Sequence, residues 1–378
     1  MEMKNIFDTK VIDKAIEKGI NHLLSQNING QWRGFPTLAG ESDIWVTGFV
    51  LAHIYNLCNQ KDVIKESQKF LLRSCHSSGG WSYSAQVPPD ADSTAWCLMA
   101  LHACKELSGV ELEKATTFLW THFNSPGVST YGFDSGIREF ISAPDNETIA
   151  GWTSIHPDVS IAAVLADNEN EEAMGILNWL SNLQTDRGFF NAYWWRGPHY
   201  TTTLLLRALT QLKFQLPFER ATKIAAALAY AQLLDGGFGL DSSTNKNSFT
   251  TALALESFTH LSYLGQDRER ANCGNALLNL QNENGGWSGD YILRIPAPFV
   301  IDPNQVESWS CAHGGGNCFI EDKDGIFATA MACYALALWR QTELQKDVAN
   351  EEPFCELTAT RKNNKNYLKK TIHFNGLA

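Results

Sequence analysis

The sequence lacks long apolar runs and an excess of positive charge. In its 378 residues, no window reaches the roughly 18 apolar residues that a membrane-spanning helix requires. The N-terminal segment 1–5 has none of the apolar stretch of a signal peptide. Lys and Arg number 30 against 41 Asp and Glu, a net charge of −11, whereas nucleic-acid surfaces need clustered basic residues. We therefore expect a cytoplasmic protein without a transmembrane segment and without a nucleic-acid partner.

Signals for disulfides and for strands are also weak. The nine cysteines are odd in number and scattered, several of them inside apolar helical stretches, which is typical of reduced thiols packed in a core. Runs with strand periodicity are almost absent. Aromatic residues, by contrast, are plentiful, with 12 Trp and 20 Phe. The sequence therefore indicates a helical protein that has many large rings to place.

A repeating unit runs along the chain: a turn with glycine and an aromatic residue, a polar loop, and an apolar helix. Clear turns are Gly79-Gly80-Trp81 and Gly285-Gly286-Trp287. An amphipathic helix precedes each turn, and the helix after it is apolar on most sides, so the second kind is buried by the first. Six such pairs without polar capping repeats at the ends predict a closed ring. We expect an all-α (α/α)6 barrel of six inner and six outer helices over residues 1–343, followed by a tail, residues 344–378.

These turns carry a family resemblance. The segment from Gln281 to Trp287, and approximately that from Gln26 to Trp32, resembles the Gln-x-x-x-Gly-x-Trp repeats of squalene and terpenoid cyclases. The predicted barrel also resembles protein prenyltransferase β-subunits. The resemblance covers about residues 10–342 and implies the same α-α barrel.

A second motif resembles one branch of that superfamily. Residues 90–95, Asp-Ala-Asp-Ser-Thr-Ala, are similar to the Asp-x-Asp-Asp-Thr-Ala signature of class II terpene cyclases, with Ser93 in place of the last Asp. The resemblance implies that Asp92 is the proton donor and that Asp90 is the first Asp of the motif. In squalene-type cyclases a His from a neighbouring inner helix supports the acid, and the resemblance implies His156 for that role.

The prenyltransferase branch is disfavoured by its zinc site. Aligning the Gly236-Gly237-Phe238 turn with that family places its Asp, Cys and His ligands at Asn247, Phe249 and Ala328. These three side chains cannot form a thiolate zinc site. A protein prenyltransferase mechanism is therefore not expected.

A cyclase of this type needs a carboxyl that keeps its proton. An unperturbed Asp, with a pKa of about 3.9, is protonated only about 0.1% of the time at pH 7. A nearby carboxylate raises the pKa of an Asp, and desolvation raises it by up to about 3–5 units. Aromatic rings would keep the site dry and stabilise carbocations. The competing interpretation is that Asp92, like Asp43 and Asp158, only caps a helix.

Polar and aromatic residues at the inner-helix starts are the predicted pocket lining. We expect their side chains to share one mouth of the barrel. The predicted substrate-binding residues are Trp45, Trp96, Asp158, Trp194, Trp195, His199, Tyr200 and Phe327. Hydrogen-bonded core histidines and a metal rim are the other interpretations of the His and Asp residues, although their spacing matches no recognised metal site. We expect no metal cofactor. Mg²⁺ is expected only with a diphosphate substrate, for which Arg138, Arg196 or Arg207 is a candidate contact.

The segment Ser288 to Asp324 is long and rich in proline. Such a segment is often an ordered lid. Its Cys311, His313 and Cys318 suggest zinc, but their spacing fits no standard ligand frame, and a glycine-rich loop over the barrel mouth is the other interpretation.

The predicted function is that of a class II terpenoid cyclase-like enzyme, which protonates a linear isoprenoid or lipid-like small molecule to start carbocation cyclisation. The alternatives are a non-catalytic barrel that binds a lipid, prenyl group or peptide, and a hydrolase or transferase that uses the His and Asp rim. Family cyclases usually carry a second α-helical domain. Either a single barrel suffices here, or a homodimer or a second subunit completes the site.

Overall fold

The structure is a computed structural model that describes residues 8–240, 245–310 and 316–351. Helices form most of it. The α-helices are α1 (Thr9–Gln26), α2 (Ile44–Ile54), α3 (Lys61–Ser74), α4 (Ala91–Ala103), α5 (Gly109–Trp120), α6 (Ile137–Phe140), α7 (Ala150–Thr153), α8 (Pro157–Ala166), α9 (Ala173–Ser181), α10 (His199–Gln211), α11 (Phe218–Ala231), α12 (Ser248–His260), α13 (Asp267–Asn279) and α14 (Ile326–Glu351). Short 3₁₀ helices span Ser262–Leu264 and Pro303–Gln305. In the described residues, no helix is both long and apolar enough to cross a membrane.

Two kinds of long helix alternate along the chain, as the repeats predict. The helices that follow the aromatic turns are apolar on most sides and buried nearly all round, in α14 over residues 326–339. They are α2, α4, α8, α10, α12 and α14. The helices that precede the turns are amphipathic. In α1, for example, Ile12, Ile20 and Leu23 are buried on one face, which is the stripe expected of a helix that covers a core.

The buried helices pack side by side in a closed ring. Helix α2 contacts α4, α4 contacts α8, α8 contacts α10, α10 contacts α12, α12 contacts α14, and α14 contacts α2 again. The amphipathic helices pack on the outside of this ring, α1 against α14 and α13 against α12, for example. The result is an α-α toroid with its hydrophobic core between and inside the two layers.

A repeated hydrogen bond fixes the turn of each repeat, aromatic in all but the third, to the buried helix that follows it. The backbone N–H of Trp81 donates to Thr94 Oγ1 at 2.9 Å. The same bond joins Trp32 to Thr47, Val128 to Ser160, Phe190 to Thr202, Phe238 to Thr251 and Trp287 to Thr329. A side-chain hydrogen bond also joins the last repeat to the first helix. Gln281 Nε2, in the last turn, donates to Ala15 O of α1 at 2.8 Å.

The expectation of an all-α fold is wrong in one respect, because short strands are present. The strands form antiparallel pairs: β1 (Gly34–Thr37) with β2 (Gly40–Ser42), β3 (Phe123–Asn124) with β4 (Gly127–Val128), and β5 (Tyr291–Ile295) with β6 (Cys318–Glu321). All of them lie in the connections that lead to buried helices. Their backbone amide and carbonyl groups have no helical partners, and pairing as strands supplies these partners.

The predicted lid, Ser288 to Asp324, is partly built from the β5–β6 pair. Strand β5 also pairs with the loop before α10, where Arg294 N donates to Trp194 O at 2.8 Å and Arg196 N donates to Ile292 O at 2.9 Å. This pairing fixes the position of Trp194 and Trp195 at the mouth of the toroid.

A charged cluster lies deeper inside the ring of buried helices. Arg207 of α10 donates to both carboxylate oxygens of Glu256 of α12, at 2.7 and 2.9 Å, and to His53 Nε2 of α2 at 3.2 Å. Arg207 also lies over the Tyr334 ring of α14 at 4.6 Å. Each of these residues lies about 12 Å along its helix from the first turn. The cluster therefore connects four helices well below the mouth.

Candidate active site

A cavity of about 580 Å³ opens at the end of the toroid where the buried helices begin. Its inner wall contains Asp90, Asp92, Trp45, Trp194 and Trp195. Its outer part is roofed by loops that have a small hydrophobic cluster of their own, formed by Val87, Tyr131, Ile137 and Ile149. A largely apolar cavity with a few polar groups on one side is typical of a small-molecule site.

The repeat places six equivalent residues in one layer at the inner end of this cavity, and two of them, Trp45 and Asp92, line it. Each lies two positions before the Ser or Thr that binds an aromatic turn. The residues of this floor layer are Trp45, Asp92, Asp158, Tyr200, Phe249 and Phe327. Ring contacts connect its aromatic members: Trp45 to Phe327 at 4.8 Å, and Trp195, from the adjoining loop, to Tyr200 at 4.0 Å. The floor layer is therefore aromatic except for two carboxyls, those of Asp92 and Asp158, which come from neighbouring helices.

Asp90, and not Asp92, caps α4. Asp90 Oδ1 accepts a hydrogen bond from Ser93 N at 2.7 Å, and its Oδ2 accepts one from Ser93 Oγ at 2.7 Å. The interpretation of Asp92 as a helix cap is therefore wrong, because the cap residue precedes the helix and Asp92 lies in its first turn. The residue that replaces the last Asp of the signature, Ser93, instead supplies both donors to Asp90.

The Asp92 carboxyl faces the cavity and has a different partner. Its Oδ2 accepts a hydrogen bond from the indole N–H of Trp45, in the preceding repeat, at 2.9 Å. Burial raises the pKa of Asp92 well above its usual range, the Asp90 and Asp158 carboxylates raise it further, and the Trp45 bond lowers it. Burial also raises the pKa of Asp90 to about 7, against the bonds from Ser93 that lower it. Burial therefore favours the protonated form of the Asp92 carboxyl on the cavity wall.

Asp158 holds the neighbouring loop. Its two carboxylate oxygens accept hydrogen bonds from the backbone N–H groups of Tyr193 and Trp194, at 3.0 and 2.9 Å. Asp158 lies inside α8 and does not cap it, contrary to expectation. Asp43 precedes α2, but its side chain makes no capping bond. The expectation that Asp43, Asp92 and Asp158 are equivalent caps is therefore wrong for Asp92 and Asp158, whereas Asp43 occupies the cap position of α2 without a side-chain bond.

His156 bonds to residues that support the cavity wall and not to the Asp92 carboxyl. His156 Nε2 donates to Gly151 O at 2.8 Å, because a carbonyl only accepts, which leaves Nδ1 to accept from Thr130 Oγ1 at 2.7 Å. Thr130 Oγ1 in turn accepts from the indole N–H of Trp194 at 2.7 Å. Burial lowers the pKa of His156 to about 3, so the ring is neutral. Both ring nitrogens are thus engaged, and the contact to Asp92 expected of this His is made by Trp45.

The predicted lining residues divide into two groups. Trp45, Trp194 and Trp195 line the cavity. The other five, Trp96, Asp158, His199, Tyr200 and Phe327, lie behind its wall and are buried. Trp96 is one turn deeper in α4 and packs on Phe49 at 4.7 Å, for instance. The centre of the toroid is filled with side chains, so these five residues do not face the cavity. They support its wall from behind.

Several wall residues were not among the predicted lining residues. Thr130, Tyr131 and Trp152 line the cavity, as do Leu293 and Ile295 of β5. They come from irregular connections and from a strand far along the chain. The floor layer, in contrast, has a sequence signal, namely its constant distance from the Ser or Thr of each repeat.

The described residues contain no group of three or more His, Cys, Asp and Glu side chains that would hold a metal ion. Cys318 is buried in β6. Cys311 and His313 lie outside the described residues, so the zinc hypothesis for this segment stays untested. Of the glycine-rich loop, Gly316 is described and lines the cavity.

Comparison with known proteins agrees with this architecture. The chain belongs to the prenyltransferase alpha-alpha toroid domain family, whose model matches residues 14–135, 146–290 and 205–372. The resemblance to terpenoid cyclase-like toroids is thereby confirmed. A comparison with curated protein sequences gives no match.

Solved structures point to the class II branch. The type II terpene cyclase MstE from Scytonema is 27% identical, with a TM-score of 0.81, over 88% of this chain and 99% of that chain. A variant of MstE in complex with geranylgeranyl dihydroxybenzoate, its substrate, is 26% identical, with a TM-score of 0.81, over 88% of this chain and 98% of that chain. A protein from Actinoplanes is 26% identical, with a TM-score of 0.76, over 87% of this chain and 99% of that chain. The chain is therefore similar to a type II terpene cyclase along nearly the whole length of that enzyme.

Proposed function

We propose that this protein is a class II terpenoid cyclase-like enzyme that protonates a linear isoprenoid substrate to start carbocation cyclisation, with Asp92 as the general acid. One observation carries the proposal. Asp92 presents a carboxyl with a raised pKa to an aromatic cavity, while Asp90 takes over the capping of the helix. A carboxyl that only stabilised the helix would not need to face the cavity.

The first chemical step is a proton transfer. The carboxyl proton of Asp92 moves to an alkene carbon or an epoxide oxygen of the bound isoprenoid, and the electron pair of that group forms the new bond to hydrogen. Protonation of an alkene carbon leaves a carbocation on the neighbouring carbon, whereas protonation of an epoxide oxygen breaks a C–O bond and leaves a carbocation and a hydroxyl. Asp92 becomes a carboxylate. Trp45 Nε1, 2.9 Å from Asp92 Oδ2, stabilises this carboxylate by a hydrogen bond that strengthens as the negative charge develops. Trp45 is a positioning residue that also contacts the cavity.

The aromatic wall serves the later steps. Each internal double bond attacks the cation in turn, so positive charge moves along the folded chain. The faces of Trp45, Trp194 and Trp195 stabilise such a charge by cation–π interaction, an effect that is larger when water is absent. Loss of a proton from the last cation ends the reaction, and Asp92 recovers a proton for the next cycle.

The positions of these rings depend on polar residues behind the wall. Asp158 holds the backbone of Trp194, and the neutral His156 holds its indole through Thr130. We propose that His156 acts by positioning Trp194, and that Asp90 acts by raising the pKa of Asp92 and by ordering the first turn of α4. Such supporting contacts keep a site close to its productive geometry.

The similarity to MstE supports the substrate class. The names printed for MstE complexes are geranylgeranyl dihydroxybenzoate as substrate and merosterolic acid A as product. Both belong to MstE. For this chain they support a small isoprenoid-bearing molecule as substrate and protonation as the start of its cyclisation. No metal is part of the proposed mechanism.

Three further features belong to the proposal. We infer a six-plus-six (α/α)6 arrangement, which is supported by the order of helix contacts around the ring. We also propose that the toroid comprises residues 1–343 and that residues 344–378 form a tail, although α14 continues past that boundary to Glu351. A cytoplasmic location and a homodimer or second subunit remain proposals that rest on the sequence.

A product assay tests the function. Wild-type protein and the Asp92→Asn variant are incubated with linear isoprenoids of several lengths and with prenylated aromatic compounds, and extracts are analysed by mass spectrometry. Cyclised product from the wild type and none from the variant is the expected result. Asp43→Asn is the matched control, because Asp43 makes no capping bond and lies outside the cavity wall. Equal product from Asp92→Asn would remove Asp92 from the mechanism.

A further inference from the structure

The charged groups of the cavity have one sign. Among the described residues that line it, every side chain with a formal charge is acidic: Asp90, Asp92 and Glu147. Asp90 and Asp92 lie in the inner wall. Glu147 is exposed and lies in the roof segment between α6 and α7. A ligand that enters the cavity therefore meets carboxyls both in the roof and in the inner wall.

The arginines considered as diphosphate contacts are engaged elsewhere. Arg138 Nη1 donates to the backbone carbonyls of Pro144 and Glu147, at 2.8 and 2.9 Å, and so holds the roof loop. Arg207 is paired with Glu256 deep in the toroid. Arg196 lies over the Phe319 ring at 4.5 Å. None of the three lines the described wall of the cavity.

A divalent cation has no joint site on these carboxyls. Both oxygens of Asp90 accept hydrogen bonds from Ser93, and Asp92 Oδ2 accepts one from Trp45. A shared Mg²⁺ would need several free carboxylate oxygens directed at one point. Glu147 is in the roof, away from the pair in the inner wall, and offers a single carboxylate. Mg²⁺ is therefore not expected to reverse the charge of the cavity for a diphosphate.

We infer that the isoprenoid substrate of this cavity carries an uncharged head group, and that its diphosphate or carboxylate counterparts are discriminated against. This inference rests on the proposed function, since it concerns the substrate of the same site. An anionic head in the roof would approach the exposed Glu147 carboxylate, which no Lys or Arg among the described lining residues offsets. Such like-charge contacts are how binding sites reject the wrong partner. A hydroxyl, amide or phenol head would instead donate a hydrogen bond to Glu147.

Equilibrium binding tests the preference. The Asp92→Asn variant, which keeps a neutral side chain at the floor, binds ligands without turnover, and quenching of tryptophan fluorescence reports on the cavity wall. Geranylgeraniol and farnesol are compared with their diphosphates, with and without Mg²⁺. We expect each alcohol to bind at least about tenfold more tightly than its diphosphate. A diphosphate that binds as tightly as its alcohol, in either condition, overturns the inference.

A charge reversal tests the role of the roof. In a Glu147→Lys variant we expect the affinity for the diphosphate, relative to the alcohol, to rise by at least about tenfold. Asp145→Lys is the matched control, because Asp145 is also an exposed acid of the roof loop but does not line the cavity. An equal change in both variants would show a general field effect and would contradict a role for Glu147.

The outcomes separate this inference from the proposed function. Binding of the alcohols without any cyclised product from the wild type would contradict the enzymatic proposal and leave the preference for an uncharged head intact. Efficient conversion of a diphosphate to a cyclic product would have the opposite meaning. It would support the cyclase and overturn the inference.

Discussion

Two aspartates that are two residues apart have different tasks in this site. Asp90 precedes α4, so its carboxylate reaches the free N–H groups of the first turn. Asp92 lies within that turn, and its side chain projects into the cavity towards Trp45. The motif identified both residues from the sequence. Their different roles were not visible there, because a shift of two residues in the helix start decides which carboxyl is the cap.

The two aspartates are predicted to differ in their effect on stability. Asp90→Ala removes the cap of α4 and should lower the free energy of unfolding by about 0.5–2 kcal/mol. Asp92→Asn keeps an acceptor for Trp45 and places no charge in the site, so it should change that free energy by less than about 0.5 kcal/mol. Urea unfolding of both variants and the wild type checks this. A larger loss of unfolding free energy in Asp92→Asn than in Asp90→Ala would show that Asp92 is the cap and would contradict this assignment.

Trp45→Phe is predicted to shift the pH dependence of the reaction. An acid works while it is protonated, so activity falls as the pH rises through the pKa of Asp92. The Trp45 bond lowers that pKa. Without it, the alkaline limb of the pH–rate profile should move to higher pH, and kcat should fall because the Asp92 carboxylate loses its donor.

The matched control for this variant is Trp152→Phe. Trp152 also lines the cavity, but its indole N–H donates to Pro296 O. The control should lower the affinity for substrate and leave the alkaline limb in place. Identical pH profiles for Trp45→Phe and the wild type would contradict the assigned hydrogen bond.

At the scale of elements, buried polar residues set the helix positions. The turn bonds to Ser or Thr hold the mouth, and the Arg207 cluster holds the interior of the ring. Burial alone would raise the pKa of Glu256, but the adjacent Arg207 guanidinium offsets this and lowers the pKa to about 2. The pair is therefore ionised throughout the neutral range. Its stabilisation is present above the usual pKa of Glu, about 4.3, and is lost as the pH falls towards about 2.

A double-mutant cycle tests this cluster. Arg207→Met leaves the Glu256 carboxylate buried without its main partner and should cost about 3–5 kcal/mol of unfolding free energy, as should Glu256→Met for Arg207. The double variant should cost much less than the sum, because no uncompensated charge remains. Denaturant unfolding at pH 7 gives the four free energies. Additive costs would show that the two side chains do not interact.

At the scale of the molecule, the sequence predicted the toroid better than the cavity. The aromatic turns and the alternation of helix types are local signals, and the ring follows from them. The roof depends on contacts that are distant in sequence, such as the pairing of Leu293 in β5 with Trp195. His156 was assigned to the acid through resemblance, whereas its hydrogen bonds run to Thr130 and Gly151. Such contacts depend on how the loops fold over the mouth, which no single repeat specifies.

The protonation state of Asp92 is the most direct test of the central claim. Infrared difference spectroscopy of the folded protein at pH 7 distinguishes the C=O band of a protonated carboxyl from the bands of a carboxylate. We predict that the protonated-carboxyl band of the wild type contains a component that is lost in Asp92→Asn and persists in Asp90→Asn. Loss of a carboxylate band in Asp92→Asn would mean that Asp92 is ionised, and it would contradict the proposal that Asp92 supplies the proton.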